Sequence, residues 1–142
     1  MKNSIIYFLF VFAVCAFSAN MVFAQKSTVT PIAGIPVGLE HDPEGIAMPS
    51  VKTDVNGKFA CKLSEGKYKL VLSYNDIASK VSRIDKNYAS NPGGFIFTLL
   101  LGQTPNVKAP AKVILDTRTD RIIISVAKGG GTLSGTLTYT KR

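Results

Sequence analysis

Apolar and polar residues alternate along two neighbouring runs of this chain. Between Lys58 and Leu63, Phe59, Cys61 and Leu63 share one parity, and Lys58, Ala60 and Lys62 the other. From Lys67 to Tyr74, Tyr68, Leu70, Leu72 and Tyr74 alternate with Lys67, Lys69, Val71 and Ser73. Side chains of a strand point to opposite faces with period two, so each run predicts a strand with one buried and one wet face. Ser64-Glu65-Gly66 predicts a turn between them, which makes Thr53 to Tyr74 a half-buried antiparallel hairpin. Asp54-Val55-Asn56-Gly57 predicts the turn before it, with Asn56-Gly57 suited to the positive φ of tight turns.

The same signal recurs. Ile35, Val37, Leu39 and His41 alternate, and Gly34 and Pro36 place that strand at a sheet edge or bulge. Asp42 to Ser50, with Pro43, Gly45 and Pro49, predicts a loop. Ile77, Val81 and Ile84 have helical spacing, and Asn75 or Asp76 can cap, so residues 75–90 predict a short helix or irregular crossover. Asn91 to Gly94 predicts a turn. Phe95 to Leu101 is apolar at both parities and predicts a central strand buried on two sides. Lys112 to Asp116 and Asp120 to Val126 predict a second hairpin around Thr117-Arg118-Thr119. After Gly129-Gly130-Gly131, Leu133, Gly135, Leu137 and Tyr139 alternate with hydroxyl residues from Thr132 to Thr140. About seven strands separated by turn signals predict an all-β fold, a single antiparallel β-sandwich of immunoglobulin-like or prealbumin-like type.

The first 24 residues stand apart. Lys2, the apolar run Ile5 to Phe17 and Val22-Phe23-Ala24 together read as a secretory signal peptide cleaved after Ala24. An uncleaved N-terminal anchor is the alternative. The run is short for a membrane span, and no later segment approaches the roughly 20 apolar residues that one needs. The expectation is an exported protein, periplasmic, cell-surface or extracellular, with no membrane span in the mature chain. Removing residues 1–24 from the 142-residue chain leaves 118, one domain over 25–142. It also removes one lysine and no acid, so the net charge falls from +8 to +7. The basic residues are scattered and do not interleave with aromatics as in a nucleic-acid groove. On solvent-facing strand positions, lysines discourage edge-to-edge pairing. Cys61 is the one cysteine left, so no intramolecular disulfide forms, and its parity makes it a small core hydrophobe.

Candidate chemistry is sparse. Glu40, His41, Asp42 and Glu44 are the one group with the composition of a metal site. Period two sends Glu40 and His41 to opposite faces, Pro43 interrupts the loop, and zinc would want further His or Cys ligands. A solvated loop is the expectation there, with no metal, cofactor or catalytic residue assigned. Asp54-x-Asn56-Gly57 has the start of a calcium loop, but Lys58 occupies the third ligand position. The single histidine has no Gly-x-Ser-x-Gly segment near it. The chain has no tryptophan to stack on a sugar. Tyr68, Tyr74 and Tyr139 have core parity, which leaves Tyr88 as the tyrosine free for a ligand.

Several of these residues also form a pattern. Gly34, Pro36, Val37 and Leu39, then Thr53, Asp54, Gly57 and Phe59, then Gly66, Tyr68 and Leu70 resemble the carboxypeptidase regulatory-like domains of secreted bacterial proteins. Those transthyretin-like and starch-binding-like sandwiches open on a Gly-x-Pro-Val-x-Leu strand, followed by Thr-Asp-x-x-Gly-x-Phe and Gly-x-Tyr-x-Leu. The resemblance covers residues 32–74 and fades beyond Tyr74, where the family's glycine-rich ending is missing. It implies a β-sandwich that serves as an accessory folding, spacing or binding module. The expected function is a non-enzymatic secreted or periplasmic module with a structural or protein-binding role in the cell envelope. A carbohydrate- or polyanion-binding module using the basic face and Tyr88 is the alternative, and a small hydrolase a third reading. The expected partners are an envelope protein or a glycan, and no specific nucleic acid.

Overall fold

A computed structural model of the chain describes residues 28–118 and 122–142. The signal-peptide and cleavage assignments at residues 1–24, the last turn residue Thr119 and the first two residues of the strand expected from Asp120 lie outside the described residues. Ten strands are present among those described: β1 (Thr30–Pro31), β2 (Pro36–His41), β3 (Val51–Lys52), β4 (Lys58–Leu63), β5 (Gly66–Val71), β6 (Phe95–Leu101), β7 (Val107–Lys108), β8 (Lys112–Leu115), β9 (Ile122–Val126) and β10 (Gly131–Lys141). One helix, α1 (Tyr74–Ile84), lies between β5 and β6. The strands with more than two residues are the seven that the alternation predicts.

They form two antiparallel sheets. In the first, β10 lies between β6 and, on its other side, β4 and then β1, with β8 beyond β6. The second runs β3-β2-β5-β9-β7. Phe59, Leu63, Phe97, Leu99, Leu101, Leu115, Leu133, Leu137 and Tyr139 of the first sheet share one core with Val37, Leu39, Tyr68, Leu70, Ile122, Ile124 and Val126 of the second. Burial of this apolar surface is the main favourable term for the fold.

Neither predicted hairpin forms. β4 pairs with β10 in the first sheet, whereas β5 pairs with β2 and β9 in the second. β8 pairs with β6, and β9 with β5 and β7. Each turn is therefore an arch that carries the chain from one sheet to the other. Binary patterning cannot tell the two apart, because a hairpin and an arch both bury one parity of each strand. At the first arch Gly66 takes φ 148°, a conformation that other residues rarely adopt. The Tyr68 hydroxyl reaches back to donate to the Ser64 carbonyl at 2.7 Å. Its ring is fully buried, so this bond ties the corner to the core.

The Thr-Asp-x-x-Gly-x-Phe segment closes a seam in the first sheet. Beside β10 the neighbouring strand changes from β4 to β1 at Leu137. The Leu137 N–H donates to Gly57 O at 2.7 Å, and its carbonyl accepts from Ile32 N at 3.0 Å. Gly57 has φ 73°, and a β-carbon there would collide with the Leu137 carbonyl oxygen. Asn56, in contrast to its predicted role, does not take positive φ. The Asp54 carboxylate accepts from the N–H groups of Asn56 (2.8 Å) and Lys58 (2.9 Å), which is a turn function. Thr53 is buried; its Oγ1 accepts from Ile35 N at 3.0 Å and donates to Ile32 O at 2.7 Å.

The 75–90 crossover is helical over its first part. Ser73 caps it, its Oγ accepting from Asp76 N at 3.2 Å, in place of the predicted Asn75 or Asp76. Ile77 and Val81 are buried in the core, while Ile84, the third residue of the predicted stripe, is exposed.

Candidate binding surface

The outward parity of β4, β10, β6 and β8 defines a continuous face. Register places Lys58, Thr136, Leu100 and Lys112 in one row across the four strands. Ile114, Thr98 and Thr138 form the next row, with Pro31 of β1 at its end. Strands stand about 4.8 Å apart, so the four-residue row spans about 14 Å. On β10, Thr132, Ser134, Thr136 and Thr140 run down the middle of the face as a hydroxyl line, interrupted at Thr138, which is buried.

β6 does not follow its prediction here. Phe97, Leu99 and Leu101 are buried, but Leu100 is 46% exposed, and so is its near neighbour Ile114 of β8, at 51%. The strand lies inside the sheet with its inward face packed, while its outward face is only partly covered, half-buried at Ile96 and Thr98 and open at Leu100. Next to Leu100 lies an open groove of about 650 Å³, lined among others by Lys52, Asp54, Lys58, Ala60, Ser134 and Thr136. A recess of about 710 Å³ at the first arch, beside Ser64, Glu65 and Gly130, is a separate feature away from these apolar residues.

The metal-like group of the sequence is dispersed. Glu40 is on the outward face of β2 and pairs with Lys69 at 3.6 Å. His41 has the inward parity, and its ring lies 5.0 Å from that of Tyr68. Asp42 and Glu44 follow in the loop, and the Asp42-Pro43 bond is cis. Among the described residues no group of three or more His, Cys, Asp or Glu side chains is close enough to hold a metal ion.

Tyr88 is not free for a ligand, which corrects the sequence reading. It is half-buried, stacked on Phe97 at 5.9 Å and edge-on to Phe95 at 5.2 Å. Burial, and then a hydrogen bond with Tyr74, push its phenol above the usual value. Together with Tyr74–Phe97 and Phe95–Tyr139 contacts, it forms an aromatic cluster beside α1. Cys61 is half-buried rather than fully buried, opposite Leu133, and desolvation raises its thiol pKa, which keeps it a poor nucleophile. At the end of β10, Lys141 Nζ lies 2.6 Å from Asp85 and over the Phe95 ring. The hydrogen bond from Lys141 is the main cause that holds the Asp85 carboxyl below its ordinary pKa.

What the arrangement offers is a surface with apolar anchors, hydroxyls and a groove. Sequence reasoning saw the hydroxyl parity of β10 and the apolar parity of β6, but not that they lie on one exposed face. That placement depends on which strands pair. No family model matches the chain, and neither the search of curated proteins nor that of solved structures finds a match.

Proposed function

We propose that the protein is an exported, non-catalytic β-sandwich module that holds a protein partner in the cell envelope. The observation that carries this reading is the exposure of Leu100, which lines the groove, and of Ile114 in the next row of the outward face of the first sheet. Apolar side chains exposed together on a sheet mark interaction sites more often than isolated ones do. The signal-peptide pattern before Gln25 and the resemblance of residues 32–74 to accessory domains support the same assignment. The carbohydrate alternative loses its aromatic platform, since Tyr68, Tyr74, Tyr88 and Tyr139 all pack inward or against one another.

The test is in-cell crosslinking of the secreted chain, comparing wild type with Leu100→Asp. Val71→Asp, a 39% exposed position on the second sheet, is the control. Leu100→Asp is expected to lose the crosslinked partner at least about tenfold, as removal of a buried anchor does, while keeping its melting temperature. Equal capture by a folded Leu100→Asp variant would remove this surface from the reading.

A further inference from the structure

The charge of the same face specifies its partner. Its strand positions are Lys58, Ala60 and Lys62 on β4; Thr132, Ser134, Thr136, Thr138 and Thr140 on β10; Ile96, Thr98 and Leu100 on β6; and Lys112 and Ile114 on β8. None of these is acidic; Asp116, which continues the outward parity just past the end of β8, accepts from Arg118 N at 2.8 Å. Lysines stand at both lateral margins, hydroxyls run down the middle, and the apolar residues collect on the β6–β8 side. Lys58, Lys62 and Lys112 are all exposed. The nearest carboxylate lining the groove, Asp54, is already accepting from two backbone N–H groups.

Resting on the docking role proposed above, we infer that this face receives an acidic protein segment. Its apolar side chains seat against Leu100 and the groove, and its flanking carboxylates meet Lys58 and Lys112. A second copy of the chain is disfavoured on this face, because a two-fold contact would bring its lysine margins together. A glycan polymer would find hydroxyls and lysines but no exposed aromatic ring, and would leave Leu100 and Ile114 uncovered. An acidic protein segment satisfies both the apolar and the cationic parts of the surface. The lysine margins then act at long range in the encounter, and the apolar centre holds the complex once formed.

Amide NMR of the secreted chain (25–142) tests this with a short soluble peptide carrying leucines among glutamates. Two counterparts replace the glutamates by glutamine or by lysine, and a carboxylated polysaccharide serves as a further probe. The acidic peptide is expected to shift the amides of Lys58, Leu100, Thr136 and Lys112, and to weaken about tenfold or more from low to physiological salt. The double variant Lys58→Glu/Lys112→Glu should lose it and gain the lysine peptide. Lys67→Glu/Lys108→Glu, on the second sheet, should change neither. If the glutamine or lysine peptide binds this face equally well, docking stands and the acidic specificity falls. Tighter binding of the polysaccharide here also overturns the inference. If no peptide shifts this face, the inference and the docking role both fail. Native amide spectra of all variants distinguish lost binding from lost folding.

Discussion

Thr53 has the clearest individual role. A buried hydroxyl that both accepts and donates leaves two stranded backbone groups when it is removed. Thr53→Val, nearly isosteric, is therefore expected to cost about 2–4 kcal/mol of unfolding free energy, read from urea denaturation of residues 25–142. Asp85 gives a pH signature. Its folded pKa lies below the unfolded one, so its contribution is complete above the unfolded value and is lost as pH falls through the folded one. A carboxyl-detected titration should place Asp85 below ordinary aspartates, and Lys141→Met should move it back up. Sequence reading succeeded at this scale where a local rule was enough. Asp54 reads correctly as a turn residue because the N–H groups its carboxylate accepts from, on Asn56 and Lys58, are a few residues away, whereas the contact of Gly57 with Leu137 is set by the sheet. Tyr88 was misread because the rings that cover it come from a strand whose position follows from the fold.

Strand existence was similarly readable from alternation, and strand pairing was not. β4 and β5 are joined by only two residues, Ser64 and Glu65, yet their backbones bond in different sheets. Parity records which side of a strand is buried, but not whether its sequence neighbour lies beside it or across the core. An engineered turn separates these cases. Replacing Ser64-Glu65-Gly66 with Asn-Gly, a strong hairpin turn, would suit a hairpin. In the arch it should cost several kcal/mol, on the scale of a disrupted core, because it pulls β5 towards the wrong sheet and displaces the main-chain carbonyl that accepts from the Tyr68 hydroxyl. Chemical denaturation and the dispersion of methyl resonances would report it, and an unchanged midpoint would refute the arch. The helix shows the same division. The Ile77 and Val81 spacing announced it, but its cap is Ser73 because the helix starts at Tyr74, two residues earlier than a cap at Asn75 requires and three earlier than one at Asp76.

For the whole molecule, composition and strand patterning bounded the fold class, and topology supplied the surface. The positive charge is scattered along the sequence, but β10 at the centre of the first sheet arranges part of it around apolar residues. That central position has a further consequence. β10 bonds with β1, β4 and β6, and it follows all three in the chain. The first sheet therefore lacks its middle until synthesis has passed residue 131, and its contacts join residues far apart in sequence, a topology that folds slowly. A chain emerging from the ribosome would have no means of completing this sheet early. Until that last strand arrives, β1, β4 and β6 each lack the neighbour that joins them into one sheet.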